Sequence, residues 1–162
     1  MAKLDHVVLM RLVQAQAEAA DANVLWLFAG EDLPNGEWQQ AVKVGVRITG
    51  DPNQHISGPG SRDLPITSLV ELTFIGYCTP DRLNVDQEQG GSVDALAFLA
   101  TTIAHAFGDT LLEDAGTTHR LDTTHPDIDL PVESDEQPGM AACVVTIRGR
   151  WERQSGSSRA TV

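Results

Sequence analysis

Residues 69–81 read LVELTFIGYCTPD, and this stretch decides the fold. Val70, Leu72 and Phe74 fall on one side of an extended chain and Glu71 and Thr73 on the other, the period of a β-strand. The second side also carries Leu69, Ile75 and Tyr77. The spacing therefore predicts a strand covered on both sides near its end, by a helix or by a neighbouring subunit. CysThrProAsp at 78–81 stops it, and a helix follows. Ser92 suits an N-cap, with Asp94 in the first turn where negative charge complements the helix dipole. Leu96, Leu99, Ala100, Ile103 and Phe107 recur at helical spacing, and Gly108 suits the C-terminal cap.

Upstream lies a second strand. Val42, Val44, Val46 and Ile48 alternate with Lys43, Gly45, Arg47 and Thr49, ending in ValArgIleThrGlyAsp at 46–51. Between the two strands, residues 50–65 are rich in Gly, Pro and small polar residues and predict a long loop. Before them, Leu4, Val7, Val8, Leu12, Ala15 and Ala19 predict an N-terminal amphipathic helix over 3–20. ValLeuTrpLeuPhe at 24–28 reads as a short buried strand-like segment, and residues 30–37 are turn chemistry.

Downstream, residues 109–138 lack sustained periodicity and are expected to form an acidic loop. Cys143, Val145 and Ile147 mark a last strand reaching Trp151. The expected fold class is α+β, with a mainly antiparallel sheet from strands near 41–49, 68–78 and 141–151. Two amphipathic helices, near 3–20 and 92–107, flank it, with long loops at 51–65 and 109–138. Residues 1–152 read as one domain. The Gln/Ser/Gly-rich residues 153–162 read as a flexible tail.

Composition narrows the function. The chain has 162 residues, enough for one domain with a hydrophobic core. Its net charge is −12. Residues 81–136 hold thirteen acidic and two basic residues, whereas residues 137–162 hold one and four. Such a chain repels nucleic-acid backbones and anionic membranes, so neither sequence-specific nucleic acid nor membrane is expected as a partner. No window is apolar enough for a membrane span, and no secretory leader is read at the N-terminus. Cys78 and Cys143 each sit in a strand-like apolar run. They read as reduced core thiols, and a disulfide needs the two strands to face each other.

Candidate chemistry is sparse. His119, Asp122, His125, Asp127 and Asp129 are close in sequence and are ligand types, but their spacing matches no zinc motif and no EF-hand loop. His119 and His125 read as loop residues. No nucleophile elbow, Cys/His pairing or phosphate-binding glycine loop is present. The expectation is therefore no enzyme, no catalytic residue, no metal and no cofactor. A metal-binding or hydrolytic module on the His119/His125 loop is the rival of another class. His105 reads as a core-edge or interface histidine. Trp26 reads as core, and Trp38 and Trp151 as core or interface anchors alike.

The stretches ValArgIleThrGlyAsp at 46–51, LVELTFIGYCTPD at 69–81 and ValValThrIleArgGlyArgTrpGlu at 144–152 occur in the order strand, long loop, strand, helix, acidic loop, strand. In this order and spacing, over most of residues 1–152, the chain resembles the tail-terminator (tail-completion, minor tail or neck) proteins of long-tailed bacteriophages. The resemblance rests on pattern rather than on diagnostic residues.

It implies a structural virion protein, made in the host cytoplasm and located in the tail or neck. It implies a homo-oligomeric ring, commonly a hexamer, at the head-proximal end of the tail. Such a ring ends tail-tube growth and meets both the tail-tube protein and the head–tail connector. Head–tail joining and capsid accessory roles are the neighbouring alternatives. The loops at 51–65 and 122–138 would then dock. Trp38, His55, Asp127, Asp129, Glu133, Arg148, Arg150, Trp151 and Arg153 are the expected interface residues, with the arginines paired to acids across the subunit boundary.

Overall fold

The computed structural model describes residues 2–21, 23–28, 30–33, 40–49, 65–78, 91–114, 119–133 and 141–154. The element order is α1 (Ala2–Ala20), β1 (Val24–Leu27), β2 (Gln40–Thr49), β3 (Pro65–Cys78) and α2 (Gly91–Phe107). β4 (Leu111–Glu113), β5 (Arg120–Thr123), β6 (Asp127–Glu133) and β7 (Ala141–Gln154) follow. The strands form one sheet in the order β1-β2-β3-β7-β5-β4, with β6 also paired to β7. Every pairing is antiparallel except β1 with β2. The α+β class with a mainly antiparallel sheet and two helices is thus as expected.

The alternation of apolar residues decides which face the helices cover. Val42, Val44, Val70, Leu72, Phe74, Cys143, Val145, Ile147 and Trp151 form one core with α2 residues Leu96, Leu99, Ala100, Ile103 and Phe107. The α2 stripe read from the sequence is buried at all five positions. Phe107 sits at its centre, 4.6 Å from the Phe74 ring and 6.4 Å from Trp26.

α1 differs from expectation. It buries Leu9, Val13 and Ala17, with the expected Val8 and Leu12 partly buried against the core, while Val7, Ala15 and Ala19 face outward. Alanines on both sides of this helix make two stripes possible, and only packing against α2 selects between them. The Gln16 side-chain amide donates to the Ala106 carbonyl at 2.6 Å and fixes that contact.

Residues 109–138 are not one long loop. They hold β4, β5 and β6. These strands are too short, and too rich in Asp, Thr and Pro, for a sequence period to reveal them. β5 and β6 form because β7 is fourteen residues long and offers a free edge, and β4 pairs in turn with β5. β5 takes Gly149–Glu152 of that edge and β6 takes Ala141–Thr146. Between them, Thr124 N–H donates to the Arg148 carbonyl at 2.8 Å.

The end of α2 is also built differently. The residue with positive φ is Asp109 (φ 47), not Gly108. Gly108 is required instead by space, because a Cβ there would lie 2.7 Å from the Ala104 carbonyl oxygen and 2.9 Å from Pro126. Thr123, buried on β5, donates its hydroxyl to the Phe107 carbonyl and accepts from Thr110 N–H at 2.9 Å. This satisfies a helix-terminal carbonyl that otherwise lacks a partner.

The last strand continues to Gln154, and Arg153 is buried, so the folded domain extends past the expected boundary at 152.

Candidate functional site

The second face of the sheet, away from α2, carries the charged residues. Strand register defines its rows. Arg47 lies opposite Glu71, and Glu71 opposite Arg148. Arg148 reaches Glu71 at 3.4 Å and Asp127 at 3.0 Å. The row beside it runs Gly45, Thr73, Thr146, Asp127, and the next runs Lys43, Ile75, Val144, Asp129. Glu152 is held by Arg150 at 3.5 Å and by Arg120 at 3.6 Å. Exposed pairs of this kind contribute about 0–1 kcal/mol each, so they set charge pattern more than stability.

The expected interface residues divide into groups. Trp38 and His55 lie outside the described residues. Glu133 is described only through its backbone, opposite Ala141. Asp127, Asp129, Arg148 and Arg150 are exposed on the outer face.

Within the chain Arg148 and Arg150 lie beside acids. Trp151 and Arg153 need correction as surface residues. Trp151 is fully buried and Arg153 is 6% exposed. Odd-numbered positions of β7 from 143 to 153 point to the core side, so both turn inward. There the Arg153 guanidinium donates to Ser68 Oγ at 3.1 Å and to the Trp151 carbonyl at 3.5 Å. Glu71 and Arg47 were not singled out in the sequence. Their signal was the polar alternation within β2 and β3, which alone does not distinguish a solvated face from a used one.

The His/Asp cluster is dispersed by the fold. His119 packs its ring on Trp151, 5.6 Å between centroids, and is half-buried rather than a free loop residue. His125 is exposed and lies 3.0 Å from Asp109 at the end of α2. Asp122 sits opposite Arg150, and Asp127 and Asp129 lie on the outer face of β6. Among the described residues no group of three or more His, Cys, Asp or Glu could hold a metal ion. A shallow cleft of about 350 Å³ lies between the helices, lined by Gln16, Ala19, Ala20, Thr102, His105 and Ala106. His105 is exposed at its rim.

The two cysteines are buried and not disulfide-bonded. Their strands do pair, but Cys143 lies opposite Gly76, which places Cys78 diagonally. Diagonal Cα atoms are about 7–8 Å apart, beyond the reach of a bridge without backbone movement. Burial pushes the Cys143 thiol up from 9.0 to about 11, with the nearby Cys78 adding to the rise and backbone hydrogen bonds opposing it. The unfolded thiol therefore ionises first as pH rises. Stability should be unaffected by this group below pH 9.0 and fall progressively towards about 11. Urea unfolding across that range should show the fall in the wild type and a smaller one in Cys143→Ala. Parallel curves would contradict this.

No family model and no curated protein matches the chain. A solved structure known by a sequence identifier alone aligns with 88% of this chain and 94% of its own, at 12% identity and a TM-score of 0.45. A likeness that loose bears on neither fold nor function. Among the described residues no helix is long and apolar enough to cross a membrane.

Proposed function

We propose that this protein is a structural component of a long-tailed phage particle. It would form a homo-oligomeric ring, a hexamer, at the head-proximal end of the tail, ending tube growth and joining the tail to the head connector. The observation that carries the reading is the element order, a helix, three strands, a second helix and four further strands, which keeps the predicted sequence of long elements α1, β2, β3, α2 and β7. The outer sheet face supports it secondarily. That face is an extended charged surface. A surface of this kind serves association, in which apolar contacts supply the affinity and charges the orientation.

Electron microscopy of the purified protein mixed with tail tubes tests the proposal. Rings at the head-proximal tube end are expected, and particles lacking the protein should carry tubes of uncontrolled length. A chain that stays monomeric at high concentration and is missing from purified virions would overturn it. A ring at the distal tip would keep the oligomer and reject the terminator role.

A further inference from the structure

We infer that the exposed face of α2, with its cleft against α1, docks on the same face of a second copy, each copy seating its Phe98 ring in the cleft of the other. α2 lacks the surface of an ordinary outer helix. Its residues 95–107 include no Asp, Glu, Lys or Arg, in a chain with 23 acidic and 11 basic residues. A helix that is apolar nearly all round is normally covered all round. Here the inner stripe is buried in the core, whereas Phe98, Thr101 and His105 on the other side are exposed. Phe98 is 67% exposed, the most of any large apolar side chain among the described residues.

α1 carries a second apolar stripe into the same region. Val8, Leu12, Ala15 and Ala19 are spaced for one side of that helix. The core takes the neighbouring stripe, and Ala15 and Ala19 stay exposed. Ala19 lines the cleft of about 350 Å³ between the helices, together with Thr102, His105 and Ala106. A cavity of roughly 150 Å³ already holds a benzene ring. Three polar side chains of this region are paired within the chain. Thr101 and Thr102 donate their hydroxyls to the Ala97 and Phe98 carbonyls at 2.9 and 3.0 Å, and Gln16 donates to the Ala106 carbonyl. Both threonines can therefore enter an apolar contact without an unpaired hydroxyl.

The occupant is a second copy because knob and hole lie on one face of one helix. Phe98 and His105 are equally far from the point between Thr101 and Thr102, about 5 Å to either side along the helix. Two α2 helices crossing antiparallel at that point would bring each Phe98 to the cleft of the other copy, which opens beside Thr102, His105 and Ala106. The small threonines let the helix axes approach. Such a contact is isologous and closes at two chains. Charge argues the same way. Two copies with a net charge of −12 repel over most of their surfaces, and residues 95–107 bring no acid to the contact. α2 has 17 residues and is about 25 Å long, so the crossing buries less than about 1,200 Å² in total, the size of a weak, reversible contact. The inference goes beyond the ring and does not rest on it, because a twofold pair and a head-to-tail ring use different contacts.

Sedimentation equilibrium of the full chain tests it, with Phe98→Ala, which removes the knob, and Ala19→Trp, which fills the cleft. The wild type should dimerise reversibly at concentrations up to about 1 mM. Each variant should raise the dimer Kd about tenfold or more. An equimolar mixture of the two should pair about fivefold or more tighter than either alone. In the mixed pair the knob of one copy meets the open cleft of the other, and the second site sets the shortened side chain against the filled cleft. Salt should strengthen the dimer, because it screens the repulsion between acidic copies.

Thermal melts of dilute Phe98→Ala should match the wild type, since the ring is exposed, and this variant alone decides the matter should Ala19→Trp fail to fold. A wild type that is monomeric throughout, a Phe98→Ala dimer as tight as the wild type, or a mixture of folded variants no tighter than its parents would each overturn the inference. Rings formed equally well by Phe98→Ala, with no twofold pair, would overturn it and leave the ring reading standing. A pair that depends on Phe98, without rings at tube ends, would do the reverse.

Discussion

Trp151→Ala should lower the stability of the isolated chain by about 3–5 kcal/mol, the range for deleting a buried aromatic side chain. The indole is fully buried in the core. Ser68 lies opposite it on β3 and Leu121 opposite it on β5, so it spans the junction of three strands. It also carries the His119 ring. Its Nε1 finds no acceptor among the described residues. Trp151→Phe removes that N–H and keeps most of the apolar body, so it should cost much less than Trp151→Ala. Urea unfolding followed by far-UV circular dichroism, at low protein concentration, separates this from an interface role. An interface tryptophan would leave the monomer's midpoint unchanged and weaken only assembly.

Leu99→Ala should cost about 2–5 kcal/mol, and its effect should be coupled to that of Gly76→Ala. Leu99 is buried at the contact between α2 and the sheet. Gly76 is the position on β3 directly beneath it. A Cβ at Gly76 would lie 2.8 Å from Leu99 Cδ2 and 2.7 Å from Cys143 Sγ. Gly76→Ala alone should therefore overpack the site at about 1–3 kcal/mol. In the double variant the shortened side chain at 99 leaves room for the new methyl, and the methyl fills part of the cavity. The combined loss should fall short of the sum of the single losses, although the Cys143 contact remains. Strictly additive losses, or a Leu99→Ala variant as stable as the wild type, would show that α2 does not rest on β3 here.

The histidine and tryptophan positions show what the sequence could not supply. His119 and His125 look alike in sequence, each preceded by two threonines. Only the pairing of β5 with β7 puts His119 against Trp151, whereas His125 falls in the turn before β6. Trp151 and Arg153 sit beside charged neighbours and read equally well as surface residues. Two-residue alternation along β7 turns both inward, once Cys143, Val145 and Ile147 fix which side is core.

What the sequence determined by itself was the set of elements with strong local periods. The 3.6-residue stripe of α2 and the two-residue alternation of β2, β3 and β7 are local signals. Each also agrees with what lies above it in the core, so propensity and packing favour the same conformation. Tertiary structure decided the rest. It selected Leu9, Val13 and Ala17 as the buried stripe of α1, because alanine is compatible with either side. It made strands of β4, β5 and β6: β5 and β6 pair with the free edge of β7, and β4 with β5. It also gathered the charges of distant segments into rows on one face. Register between strands, which no local window contains, sets which charge lies opposite which.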